Sequence, residues 1–234
     1  MFELDNPIWS SLHSSHRALA LSSGDAARYP PTIAPFLAVA SADADVAESI
    51  ASLLEPDETI YLLGVAPRLP DGWSLNAYAR LAQMICTAPI AVVDGPEVIE
   101  LSEAHHADVL ELTALVYPHY FRPRTMEMGR YFGIYEADSS GDVRLAAMAG
   151  ERMGWVAHQE ISAICTHPDF NGRGYARRLT AMLTNDNLER GRTPFLHASH
   201  ENHRALRMYE RLGYAYRPEI GFWSLRKPSA KAPP

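Results

Sequence analysis

The segment with the most chemical content joins an apolar strand to a helix through a loop that holds Gly172 and Gly174, in EISAICTHPDFNGRGYARRLTAML. The first turn of a helix presents unpaired N–H groups and a partial positive charge, and phosphate groups bind there readily. Glycine lets the backbone approach a ligand without a Cβ in the way. Positive charge comes from Arg173, Arg177 and Arg178. The segment therefore predicts a site for a pyrophosphate.

Other phosphate-binding patterns fit this loop poorly. A Walker-type loop requires Gly-Lys-Ser/Thr, which the segment lacks. A dinucleotide fingerprint needs a third glycine where Arg177 stands, and it needs its glycines directly after the strand, whereas HPDFN intervenes. Gly-x-Gly at a helix start is also common as a tight turn without a ligand, and the glycines alone leave that interpretation open.

Two further groups of reactive side chains carry weaker indications. His197, His200 and His203 recur every third residue, but they fall on a strand end, a loop and a helix start, where metal ligands would not converge. Cys165 and His167 share a strand face and could be a nucleophile and its base. A buried structural thiol is the alternative, and we favour it. We predict that the protein has no metal site.

Alternating strands and helices are predicted on both sides of the glycine loop. The first part has predicted strands at 36–40, 60–65 and 90–93 and predicted helices at 43–54 and 77–85. The second part has predicted strands at 98–101, 131–136, 143–152, 159–166 and 194–198, helices at 103–116, 174–190 and 201–212, and a closing hairpin within 214–225. Asp94, Gly95 and Pro96 mark a boundary. We predict an α/β subdomain over 1–97, a second domain over 98–226 and a frayed tail over 227–234.

Charge is distributed unevenly along the 234 residues, whose net charge is −7. Residues 1–100 carry 4 Lys/Arg and 13 Asp/Glu, whereas residues 101–234 carry 17 and 15. The acidic first part argues against a nucleic-acid partner, which needs a basic face. The second part is the better place for an anionic ligand. Cys86 and Cys165 lie in apolar runs, and no signal pattern or membrane-length apolar run is present. We expect a cytoplasmic protein with buried thiols and no membrane partner.

The glycine loop resembles the phosphate-binding motif of the GNAT superfamily of acyl-CoA-dependent N-acyltransferases, Arg/Gln-x-x-Gly-x-Gly/Ala. The matching residues are Asn171, Gly172, Arg173, Gly174, Tyr175 and Ala176. Asn171 departs from the usual Arg or Gln. A second GNAT signature, Asn-x-x-Ala-x-x-x-Tyr-x-x-x-Gly-Phe/Tyr, is matched in ENHRALRMYERLGY by Asn202, Ala205, Tyr209, Gly213 and Tyr214. The two motifs in this order, separated by one strand, favour this superfamily for residues 98–226.

The resemblance implies an α/β (α+β) fold with a mixed, mostly antiparallel central sheet flanked by helices. It implies acetyl-CoA or another acyl-CoA as co-substrate, without a metal. The residues expected to bind the coenzyme are Ile164, Cys165, Thr166, Asn171, Gly172, Arg173, Gly174, Tyr175, Ala176 and Asn202. Residues 1–97 could be a degenerate copy of the same fold, because strands and helices alternate there but no glycine loop is present.

The implied reaction is direct attack of an amine on the thioester. Tyr209 matches the usual general acid toward the departing thiolate, and a phenol with a pKa of about 10 keeps its proton at neutral pH. The residues alone would favour a core tyrosine. A backbone N–H of the strand at 164–166 would stabilise the oxyanion. Glu160 stands where some relatives carry a catalytic base, and its apolar strand predicts a raised pKa. An ordinary solvent-facing glutamate and a water chain are the alternatives.

The resemblance implies that the acceptor binds near the loop VYPHYFRPRT and the region 153–158. Tyr117, Tyr120 and Phe121 would wall a pocket, and Arg122 and Arg124 would hold a carboxylate. A small carboxylate-bearing amine, such as an amino acid, is the favoured acceptor. A packed loop with solvated arginines, and a peptide or uncharged amine as acceptor, remain open. A non-catalytic sensor or assembly module that binds acyl-CoA is a further alternative, although Tyr209 at the motif position argues against it. A homodimer also remains open.

Overall fold

The computed structural model describes residues 3–228, so residues 229–234 of the predicted tail lie outside the described part. The α-helices are α1 (Pro7–Leu12), α2 (Ala47–Leu53), α3 (His106–Val116), α4 (Tyr175–Glu189) and α5 (His203–Arg211). Short 3-10 helices occupy Glu3–Asp5, Arg17–Leu19, Glu103–His105, Thr125–Met128 and Pro168–Phe170. None of the described helices is long and apolar enough to cross a membrane.

The strands form one large and two small sheets. In chain order they are β1 (Leu21–Ser23), β2 (Ala26–Arg28), β3 (Leu37–Val39), β4 (Thr59–Leu63), β5 (Ser74–Ala77), β6 (Leu81–Ile85), β7 (Ile99–Leu101), β8 (Tyr131–Ala137), β9 (Val143–Trp155), β10 (His158–Thr166), β11 (Thr193–Ser199), β12 (Ala215–Tyr216) and β13 (Phe222–Arg226).

The seven-stranded central sheet has the order β12-β6-β11-β10-β9-β8-β7. Its one parallel pair is β10 with β11, and the other neighbours run antiparallel. The predicted mixed, mostly antiparallel sheet flanked by helices is therefore confirmed. The predicted hairpin β8–β9 and helix α4 are also present.

Three predicted elements of the chain are wrong. The predicted helix at 77–85 contains β6, which lies between β11 and β12 and has three buried residues in a row. The predicted strand at 90–93 has no regular structure, because the backbone N–H and C=O of Ile90 bond to the Asn185 side chain on α4. The predicted closing hairpin is replaced by β12, paired with β6, and β13, paired with β4 and β5.

Strands from both sides of residue 97 thus share two sheets. The small sheet β4-β13-β5 has one strand from the C-terminal part, and the central sheet has β6 from the N-terminal part. The sheet β1-β2-β3 is built within the first part alone. The division of the chain into a 1–97 subdomain and a 98–226 domain stays a prediction.

The feature that positions the site is the separation of β10 from β11. Their pairing covers only His158–Glu160 against Thr193–Phe195, although both strands continue beyond it. The register of β10 against β9 shifts between Ser162 and Cys165, and Ala163 there has a φ of +50°. A bulge of this kind bends a strand and re-aims its side chains. The far ends of β10 and β11 therefore leave a gap in the middle of the sheet.

Candidate active site

Two adjoining cavities open at the gap between β10 and β11. The larger cavity has a volume of about 730 Å³ and lies between β10, the start of α4 and helix α5. The smaller cavity has a volume of about 360 Å³ and lies between β10, β11 and residues of the N-terminal part. Four residues line both cavities: Ile164, Cys165, Asn202 and Tyr209. A molecule bound in the larger cavity can thus reach one bound in the smaller cavity.

The start of α4 forms one end of the larger cavity. Gly174 is the N-cap residue with a φ of +82°, and Gly172 has a φ of +85°. Left-handed backbone of this kind strongly favours glycine, which explains the residue type at both positions. The Arg178 N–H bonds to the Gly174 carbonyl, so the N–H groups of the three residues between them have no acceptor within the helix. They are available to an anion.

Four arginines line the larger cavity: Arg177, Arg204, Arg207 and Arg211. Three of them lie on α5 at spacings of three and four, which was the signal that could have revealed them from the sequence. Arg173 and Arg178 are not among the lining residues. The Arg173 guanidinium lies 4.8 Å from the centre of the Phe170 ring. Arg178 donates to the Val93 carbonyl and so holds the segment before β7.

The structure brings most of the predicted coenzyme-binding residues to the larger cavity. The residues in this group are Ile164, Cys165, Thr166, Asn171, Gly172, Gly174, Tyr175, Ala176 and Asn202. Arg173 is the exception. Asn202 also caps α5, because its Oδ1 accepts the Ala205 N–H at 3.1 Å. Cys165 is buried, and burial raises the pKa of its thiol to about 12. It is therefore not a nucleophile at neutral pH.

Tyr209 stands at the junction of the two cavities. It lies on the buried face of α5 with 6% of its surface exposed, and its ring packs 5.9 Å from that of Tyr214. Burial raises the pKa of the Tyr209 phenol above its usual value of 10. The hydroxyl therefore keeps its proton at neutral pH and can donate it.

Glu160 is fully buried and paired, which corrects the predicted raised pKa. Arg152 donates to its two oxygens from Nε at 2.7 Å and Nη2 at 2.6 Å, and His197 Nδ1 lies 2.8 Å from Oε1. Burial raises the pKa of Glu160, but the Arg152 charge and these hydrogen bonds outweigh burial and hold the pKa at about 2. Arg152 and His197 line the smaller cavity, whereas Glu160 lies behind them. A permanently ionised, shielded carboxylate is a poor general base.

The His197 ring is also occupied on both sides. Its Nε2 lies 2.9 Å from Gln83 Nε2, which also donates to the Leu4 carbonyl at 2.8 Å. Gln83 Oε1 accepts from Arg217, so the orientation of the amide is fixed. Gln83 therefore donates to His197 Nε2, and the other ring nitrogen, Nδ1, donates to Glu160. The spacing of His197, His200 and His203 suggested only a metal ligand at this position, and the network could not be predicted because Gln83 is distant in the chain.

Tyr117 and Tyr120 line the smaller cavity, as the predicted acceptor site requires. The other predicted residues of that site do not. Phe121 packs in the core against the Tyr131 ring at 5.8 Å. Arg122 bonds to backbone carbonyls of its own loop, and the half-exposed Arg124 forms an ion pair with Glu127. The predicted arginine clamp is therefore not at the cavity.

The arginine at the smaller cavity is Arg152, which the sequence analysis did not select. It carries the one formal charge among the cavity's described lining residues. Its guanidinium also lies 5.1 Å from the centre of the Phe36 ring. Within residues 3–228, no three His, Cys, Asp or Glu side chains lie together as metal ligands would.

Comparisons with known proteins place these motifs in a family. A family model described as FR47-like protein matches residues 131–223. A crystal structure from Novosphingobium aromaticivorans DSM 12444, assigned to the GNAT family of acetyltransferases, is 33% identical. The match covers 98% of this chain and 100% of that chain, with a TM-score of 0.82. No curated protein matches the sequence.

More distant structures share the fold. A GCN5-related N-acetyltransferase from Kribbella flavida is 15% identical over 93% of this chain and 94% of that chain, with a TM-score of 0.58. A GCN5-related N-acetyltransferase-like protein from Streptococcus suis 89/1591 is 16% identical over 94% and 92%, with a TM-score of 0.53. A 33% identical relative matches almost the whole length of this chain, and residues of both GNAT motifs of the chain line one cavity. The chain therefore belongs to the GNAT family of acetyltransferases.

Proposed function

We propose that the protein transfers an acetyl group from acetyl-CoA to a primary amine by direct attack of the amine on the thioester. The observation that carries this proposal is the meeting of the two cavities at Tyr209. The larger cavity has the anion-binding groups that a nucleotide coenzyme needs, and the smaller cavity gives an acceptor access to the same point.

The coenzyme pyrophosphate would bind at the start of α4. The free N–H groups of Tyr175, Ala176 and Arg177 point from the helix start, where anions are stabilised. The arginines on α5 add positive charge from the opposite side. The edge of β10 at Ile164–Thr166, which has left β11, offers backbone groups to the amide-containing arm of the coenzyme in the manner of an added strand. The thioester would then lie beside the bulge.

The chemical step needs a stabilised oxyanion and a protonated leaving group. Ala163 and Ile164 have no partner in the register of β10 against β9, so the bulge is the place for a backbone N–H donor to the oxyanion. Tyr209 would give its proton to the thiolate as the carbon–sulfur bond breaks. Because Glu160 is ionised and shielded, we assign removal of the amine proton to water and not to Glu160.

The coenzyme site can be tested with a matched pair of variants. Gly174→Asp places a carboxylate against the phosphates, and its expected effect is to weaken acetyl-CoA binding by about tenfold or more. Gly191→Asp is the control: Gly191 also has a positive φ (+72°), with open space around it, but lies beyond the other end of α4. Isothermal titration calorimetry measures both. Equal acetyl-CoA affinity in the two variants would show that the phosphates do not bind at the glycine loop.

A further inference from the structure

We propose that the acceptor is an α-amino acid with a large apolar side chain, whose carboxylate binds Arg152 and whose side chain lies among the aromatic rings of the smaller cavity. This inference rests on the proposed function, since it names the substrate of the same site. It is carried by the charge of the cavity wall, by the guanidinium nitrogen that takes no part in the Glu160 pair and by the aromatic side chains that line the same cavity.

The charge that faces the smaller cavity is positive. The Arg152 side chain is 12% exposed, whereas its partner Glu160 is 0% exposed and lies behind it. The bidentate pair uses Nε and Nη2, which leaves Nη1 outside that pair. Tyr117, Ser162 and Asn202 add polar side chains to the same wall. Burial raises the pKa of Tyr117, so its hydroxyl keeps its proton, and this hydroxyl also hydrogen-bonds to Ser162 and Arg152. A wall of donors fits a ligand oxygen that carries negative charge.

Another arginine of this molecule shows that a guanidinium paired with one carboxylate can bind a second carboxylate. Arg130 makes the same two bonds to Glu151, from Nε at 3.0 Å and Nη2 at 2.6 Å. Its Nη2 also reaches Asp186 at 2.5 Å. Arg130 thus holds two carboxylates at once. Arg152 has the first of these carboxylates in Glu160, and the acceptor would supply the second.

Another part of the cavity wall is aromatic, and it begins beside Arg152, whose guanidinium lies 5.1 Å from the centre of the Phe36 ring. Phe36 follows the turn before β3, Tyr120 comes from the loop after α3, and Phe222 begins β13. The Tyr120 ring lies 6.0 Å from that of Phe36 and 5.9 Å from that of Phe222. Leu63 and Leu81 complete this apolar side. An amino acid with its carboxylate on Arg152 and its side chain on these rings would direct its amine toward Ile164 and Tyr209.

The first experiment compares acceptors with the unaltered full chain. L-phenylalanine carries both recognised groups, 2-phenylethylamine lacks the carboxylate, and L-alanine lacks the apolar body. We expect kcat/KM for L-phenylalanine to exceed that for each of the others by about 10- to 100-fold, the usual loss when a charge-assisted hydrogen bond or a buried apolar group is removed. If 2-phenylethylamine or L-alanine reacts as well as L-phenylalanine, the proposal is overturned.

The second experiment changes the guanidinium. Arg152→Lys keeps a positive charge beside Glu160 but loses the fork that could hold two carboxylates. Its expected result is a kcat/KM for L-phenylalanine that falls about tenfold or more further than the kcat/KM for 2-phenylethylamine. A purely structural role of Arg152 would lower the rate with both acceptors equally, which would overturn the proposal. Arg124→Lys, on the surface, is the matched control and should change neither value.

The outcome also separates this inference from the proposed function. If calorimetry shows acetyl-CoA binding and a pool of other amines is acetylated while L-phenylalanine is not, the amino-acid assignment fails and the acetyltransferase stands. If acetyl-CoA does not bind, or binds without acetylation of any amine, both fail. Product N-acetylphenylalanine, titrated alone, should bind the wild-type chain more tightly than Arg152→Lys, and equal binding would contradict the carboxylate site.

Discussion

Single residues at this site take their roles from distant partners. Glu160 lies on the predicted strand, but the predicted direction of its pKa shift is wrong, because an apolar strand by itself predicts only a desolvated carboxyl. The partners that reverse the shift, Arg152 and His197, come from the neighbouring strands β9 and β11. Tyr209 could be selected because its motif is local. The arginine of the acceptor site could not, since Arg152 sits in a strand with no motif of its own.

Replacement of the phenol at position 209 tests the general acid. Tyr209→Phe should lower kcat by about 10²- to 10⁴-fold and leave the KM for acetyl-CoA nearly unchanged, because it removes a proton donor and keeps the ring. Tyr214→Phe is the matched control: its buried hydroxyl bonds to Thr184 at 2.7 Å and lines neither cavity. Steady-state kinetics measure both. An unaltered kcat in Tyr209→Phe would contradict the general-acid role and show that Tyr209 only packs in the core.

The buried carboxylate makes a prediction about stability and pH. The folded-state pKa of Glu160 is lowered from 4.5 to about 2, so its ionised form stabilises the fold above about pH 4.5 and this contribution is lost as the pH falls toward 2. Glu160→Gln should be less stable by about 3 kcal/mol at pH 7. The gap between the two unfolding free energies, measured by urea denaturation, should narrow below pH 4.5. Parallel curves down to pH 2 would contradict the paired state.

At the scale of elements, helices and strands whose own residues show a clear period or turn were predicted correctly. Elements that depend on pairing with distant strands were not. The glycine loop, α4 and the β8–β9 hairpin each follow from periodicity and turn residues within one segment. Strand β6 was predicted as a helix because three consecutive residues, Ala82, Gln83 and Met84, are all buried, so both faces of the strand are covered and the run has no period of two. The bulge at Ala163, which opens the site, is likewise set by neighbours and not by its own sequence.

The position of β6 predicts that residues 98–228 do not fold alone. Without residues 1–97, β12 would lose its partner strand β6, and the cluster around Leu196 and Tyr209 would be exposed. We expect this fragment to show no cooperative thermal unfolding by circular dichroism and no acetyl-CoA binding. Co-expression with residues 1–97 should restore both. A fragment that folds alone and binds acetyl-CoA would instead establish 98–226 as an independent domain.

At the scale of the whole molecule, the two parts of the chain divide the site between them. The larger cavity, where we propose that the coenzyme binds, lies on α4 and α5, in the part that carries 17 Lys/Arg against 15 Asp/Glu after residue 100. The first part has 4 Lys/Arg against 13 Asp/Glu before residue 101 and supplies Phe36, Leu63 and Leu81 to the smaller cavity. Under the proposed function this contribution is a wall for the acceptor, which alternation of strands and helices alone could not predict.

This division predicts one coenzyme site per chain. The acidic first part repels a pyrophosphate and has no glycine-containing helix start, so calorimetric titration with acetyl-CoA should saturate at one molecule per chain. The affinity should weaken as salt is raised, because arginines surround the phosphates. A stoichiometry of two would show a second site in the first part of the chain.

The central claim is that the two cavities form one reaction site for acetyl transfer to an amine. Its most direct test is to incubate the full chain with acetyl-CoA and pooled primary amines, L-phenylalanine included, and to quantify free CoA and N-acetylated products by mass spectrometry. We expect CoA release that depends on added amine, equals the acetylated product and falls about 10²-fold or more in Tyr209→Phe. Acetyl-CoA that binds to the protein but is consumed no faster with amines than without them would contradict it, and would leave an acyl-CoA-binding module.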